Sequence, residues 1–92
     1  MRLIKIKRNG DLVGYKKNDI DFIIKNKNID KLHTWKLQNE IQFILYGCVD
    51  GKAGKENKYE LAPPLDNSLF FDDLYVVKYQ NENFCDLTLD EY

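Results

Sequence analysis

Ninety-two residues, 43% hydrophobic and with twelve aromatics, suffice for one core and not two, and the 32% charged fraction supplies a solvated surface. The net charge of −1 gives no overall pull toward nucleic acid or anionic membrane. Two cysteines, Cys48 and Cys85, without a CxxC spacing argue against the disulfide framework of a small secreted domain, and no run approaches the roughly 20 apolar residues of a membrane span.

The average charge hides an asymmetry. Met1 to Tyr46 carries ten Lys/Arg against five Asp/Glu, and Gly47 to Tyr92 carries four against ten. Either the two halves attract each other within one fold, or the basic half forms a binding face.

From the amino terminus, Leu3 to Lys7 alternates apolar and charged residues, Asn9-Gly10 is a type I′ turn signal, and Leu12 to Tyr15 returns, which predicts a hairpin. Ile20 to Ile24 is β-branched and aromatic. A helix would place Ile20, Ile23 and Ile24 on one face, but Lys25 to Asn28 ends the stripe after one turn, so a strand is expected, and its exposed edge would offer a route to a homo-oligomer. Trp35 to Leu37 and Ile41 to Tyr46 flank Gln38-Asn39-Glu40 and predict a second hairpin, its second arm more buried, with Tyr46 to Val49 at the centre of the sheet.

Asp50 to Asn57 is polar and carries two glycines, hence a loop, after which Tyr59 to Leu61 is expected to form a short strand that Pro63-Pro64 stops. Leu69 to Phe71, a bend at Asp72-Asp73, and Leu74 to Tyr79 supply further strand material, and Gln80 to Asn83 turns into Phe84 to Leu87. Thr88-Leu89-Asp90-Glu91 matches a capping box, which announces the start of a C-terminal helix and suggests that residues 1–92 form the first domain of a longer protein. The fold class expected is mainly β: one small antiparallel sheet or open barrel of five to seven strands.

No constellation for catalysis is present. His33 is the only histidine, and pairing it with Cys48 supplies neither a positioned base nor an orienting group. Three Cys/His residues without a close pair cannot make a structural zinc site, so neither metal nor cofactor is expected. The glycine-rich stretch Gly47 to Lys55 fails as a phosphate-binding loop, because Gly47 and Gly51 are one residue too close and no Ser/Thr follows the lysine.

Two binding surfaces are expected instead. In the first, Gly51, Gly54 and Asn57 organise a turn whose Lys52, Lys55, Glu56, Asn57 and Lys58 face a protein partner. In the second, Lys5, Lys7, Arg8, Lys16 and Lys17 contact the backbone of a single-stranded nucleic acid while Trp35 stacks on a base.

Tyr46-Gly47, Asp50 to Gly54, Glu56 to Glu60 and Pro63 to Asp66, followed by Leu69-Phe70-Phe71 and Leu87 to Glu91, resemble a family of small uncharacterised proteins from large nucleocytoplasmic DNA viruses of eukaryotes. The chain departs from that family's pattern at Ala62, where a first proline of three is usual, and at Asp72, where glycine is usual. The resemblance implies a viral protein of the host cytoplasm or nucleus, or of the virion interior. It brings no activity with it. Combined with the residue reading, the expectation is a non-enzymatic protein-interaction or structural module, with single-stranded nucleic-acid binding as the alternative.

Overall fold

The computed structural model describes residues 1–18, 20–26, 28–48 and 54–92. Among them, six strands build one antiparallel sheet: β1 (Arg2–Ile6), β2 (Leu12–Lys16), β3 (Asp30–Lys36), β4 (Gln42–Cys48), β5 (Phe71–Gln80) and β6 (Asn83–Cys85). The order across the sheet is β2-β1-β5-β4-β3, and β6 continues the β1 side of β5. The protein is mainly β, as its alternating patterns predict. The long strand β5, rather than the Tyr46 to Val49 region, is central; Val49 itself lies outside the described residues.

Adjacent residues are buried in the inner strands, Leu3 and Ile4 in β1, Ile44 and Leu45 in β4, Val76 and Val77 in β5. Successive strand side chains point to opposite faces, so this sheet must be covered on both. One face, Ile4, Ile6, Leu45, Leu74 and Val76, lies under Leu61 and Phe70 of the long β4–β5 connection and under Leu87 of the C-terminal segment. The other, Leu3, Ile44 and Val77, lies under Ile20 and Ile23.

That second cover corrects the expected strand at Ile20 to Ile24. Asp21–Ile24 is a single helical turn, α1. Ile20 and Ile23, three apart, both reach the sheet, while Ile24 is 57% exposed. Nucleating one turn costs roughly 4 kcal/mol, and burying two isoleucines returns about 3 to 6 kcal/mol, so packing and not propensity decides. Phe22 completes the layer edge-on to Tyr15 and Tyr75, at centroid distances of 5.8 and 5.5 Å.

The turns depart from expectation in an instructive way. At Asn9-Gly10 only Gly10 has positive φ, +94°, and Lys7 bonds both Gly10 and Asp11, so a three-residue loop with a bulge replaces the type I′ turn. Type I′ geometry occurs at Asn81-Glu82, both left-handed, with Gln80 and Asn83 paired across it. Asn39 and Glu40 in the β3–β4 turn are left-handed too. Both turns read Gln-Asn-Glu, and they stand side by side, with Gln80 Nε2 donating to the Asn39 carbonyl at 3.3 Å.

Tyr59 to Leu61 forms no strand. The segment from Asn57 to Phe70 is irregular and is tied down by single bonds. The expected bend at Asp72-Asp73 is a bulge within β5, where Asp72 has φ 58° and the register with β4 shifts between Tyr46 and Cys48. Thr88 to Glu91 makes one turn rather than a capped helix: the Glu91 amide donates to the Thr88 carbonyl, and the Thr88 hydroxyl donates to the Glu91 carboxylate. Glu91 then accepts from Lys78 at 2.6 Å, and Tyr92 lies over Phe43 at 5.7 Å.

Candidate functional site

The β1–β2 turn and the segment after Gly54 are over forty residues apart in sequence, and the fold joins them. Asn57 makes the joint. It is 7% exposed, and its side-chain amide donates to the Ile6 carbonyl at 3.1 Å and to the Asp72 carbonyl at 2.9 Å, while its oxygen accepts from the Tyr59 amide at 2.9 Å. Backbone bonds flank it, from Lys58 to Arg8, from Asp72 to Lys55 and from Asn57 to Phe70, each 2.8 Å. Beside this joint a Cβ at Gly54 would collide with the Asp72 carboxylate, so a larger residue there must displace that side chain.

Holding the two segments together creates an open groove of about 460 Å³ lined by Lys7, Arg8, Asn9, Lys55, Glu56, Lys58 and Asp73. Four cations converge on it. Among the described residues none of the four pairs with a carboxylate; the ion pairs are Lys5–Asp73 at 3.4 Å, Lys25–Asp21 at 3.2 Å and Lys78–Glu91. Asp73 is thus already engaged by Lys5, and Glu56 is the only other acid lining the groove among the described residues. The arrangement favours an anion, and exposed cations in a concave site raise local anion concentration.

The residues of the loop candidate therefore divide. Lys55, Glu56 and Lys58 are exposed at the groove, Asn57 is buried and fully bonded, and Lys52 lies outside the described residues. The residues of the nucleic-acid candidate scatter. Lys7 and Arg8 join the groove, Lys5 turns to the α1 side of the sheet at 5.1 Å from the Tyr15 ring, and Lys16 and Lys17 stand at the opposite end of the hairpin. Trp35 is half-buried, donates its indole N–H to the Pro63 carbonyl at 3.1 Å and packs edge-on against His33. Sequence reasoning missed Asn9 and Asp73 as lining residues and marked them only as parts of a turn at Asn9-Gly10 and a bend at Asp72-Asp73.

For chemistry other than binding, His33 pairs with Leu45 and Cys48 with Phe71, at different levels of β4. No group of three His, Cys, Asp or Glu is gathered for a metal among the described residues. Neither cysteine forms a disulfide; Cys48 is buried and Cys85 half-buried. No helix among the described residues is long and apolar enough to cross a membrane. No protein-family model, curated protein or solved structure matches the chain.

Proposed function

We propose that this protein is a non-enzymatic interaction module, virus-encoded as its resemblance implies, whose groove between the β1–β2 turn and Lys55 to Lys58 holds an acidic segment of a partner protein. The observation that carries the reading is the convergence of Lys7, Arg8, Lys55 and Lys58 without carboxylate partners among the described residues. Glu56 among them sets a register, since it attracts a basic residue of the partner and repels a uniformly charged strand. Among the described residues lining the groove none has an aromatic ring on which a base would stack, which favours a peptide over single-stranded nucleic acid.

A fluorescein-labelled hexaglutamate peptide, titrated at two salt concentrations, tests the reading. Binding should weaken with salt, and Lys55→Glu with Lys58→Glu should lower affinity at least tenfold while leaving the melting temperature unchanged, because both side chains are exposed and only their backbones bond the sheet. Equal binding by the variant would refute it. Salt-sensitive quenching of Trp35 by a random oligonucleotide, with no binding of the peptide, would install the nucleic-acid reading instead.

A further inference from the structure

Among the described residues no strand pairs with the outer edge of β2. β2 stands at the end of the sheet, and its ladder with β1 runs without a bulge from Arg2 opposite Lys16 to Ile6 opposite Leu12. The bonds that continue this ladder fix which residues face outward. The Lys7 amide donates to Asp11 and the Lys17 amide to Met1, so the odd-numbered residues Asp11, Val13, Tyr15 and Lys17 turn their backbone groups toward β1. Leu12, Gly14 and Lys16 direct theirs away from it, with no bonding partner among the described residues.

The opposite edge is blunted. In β3 the register shifts between Lys31 and His33, and the strand itself carries exposed Lys31 and Lys36. β2 has no bulge and no proline, and exposed Gly14 has open space where a Cβ would stand. Such an edge is a template for another strand.

We infer that the partner on this edge is a second copy of the chain, with the two β2 strands antiparallel about a two-fold axis at Gly14. Only that register sets every outward-facing residue opposite another: Gly14 faces the partner's Gly14, and Leu12 faces the partner's Lys16. The same register places Asp11 opposite the partner's Lys17 and Val13 opposite the partner's Tyr15, on the face where α1 packs. Opposite charges meet twice by symmetry, an aromatic meets a β-branched residue twice, and no like charges face each other across the axis. Within one chain Asp11 and Lys17 stand at opposite ends of β2 and share no contact. A foreign strand would have to supply independently what this sequence already carries in its own reverse. The inference goes beyond the groove reading and does not depend on it.

Sedimentation velocity on the full chain over a wide concentration range tests it, and the expected species has twice the chain mass. Gly14→Pro removes an outward amide and adds a ring on the open edge without touching the β1 ladder, so it should leave a monomer with an unchanged circular dichroism spectrum. Asp11→Lys and Lys17→Asp should each weaken the dimer about tenfold, and the two together should restore it, an outcome that needs a partner because the two sites do not meet in one chain. A monomer at every concentration would overturn the inference. So would a dimer indifferent to Gly14→Pro and to both charge changes.

Discussion

A single amide side chain, Asn57, ties the irregular segment that follows Gly54 to the paired strands β1 and β5. Its donors are taken by the Ile6 and Asp72 carbonyls, and its oxygen by the Tyr59 amide. Asn57→Ala should therefore cost about 2 to 4 kcal/mol in urea unfolding, since it strands buried backbone groups as well as losing three bonds. Lys58→Ala, one residue on and exposed, should cost under about 0.5 kcal/mol in the same experiment. The turn-closing role of Asn57 was legible in the sequence from its place after two glycines, and the bond to the Tyr59 amide is of that kind. Its bonds to β1 and β5 were not, because they depend on which strands become neighbours. Glu82 poses the reverse problem: at φ 64° it occupies a conformation that favours glycine. Glu82→Gly should raise stability by about 0.5 to 1 kcal/mol in thermal unfolding, with the hairpin unchanged.

Among elements, the C-terminal segment is held at its last two residues, by charge at Glu91 and by an aromatic contact at Tyr92. Lys78 donates to the Glu91 carboxylate and holds its pKa below the ordinary value of 4.5, while Lys78 itself is raised. Burial, reinforced by the neighbouring Tyr59, pushes the Tyr92 hydroxyl up to about 12 from 10.0. The signs are opposite. The Glu91 contribution is present above pH 4.5 and is lost as pH falls through its lowered value; the Tyr92 contribution is present below pH 10.0 and is lost as pH rises through about 12. The Tyr92 ring resonances should shift toward those of an unstructured tyrosine at both extremes. In ultraviolet titration Tyr92→Phe should remove the latest tyrosine ionisation. Strands β1, β2, β4 and most of β5 were legible because alternation and β-branching agree with their burial. Helix α1 was not, because five residues of which four are apolar, Ile20 to Ile24, satisfy either period until the face they must cover is known.

At the scale of the molecule, the sheet is a middle layer whose two covers are mostly not regular structure. The opposite charges of the two halves account for little of the cohesion, since among the described ion pairs only Lys5–Asp73 joins them. Much of the basic excess is left at the surface, some of it in the groove. The groove was half legible. The sequence presents Lys7 and Arg8 as part of one surface and Lys55 and Lys58 as part of another, and only the placement of β1 beside β5 merges them. The central position of β5 also sets an order of assembly. The β1–β2 and β3–β4 hairpins can each close locally as they leave the ribosome, but among the described strands only residues 71–80 join them into one sheet. Until that strand emerges the nascent chain carries two apolar hairpins with exposed inner edges, and its period of greatest vulnerability to aggregation or to capture by a chaperone lasts until residue 80 has left the ribosome.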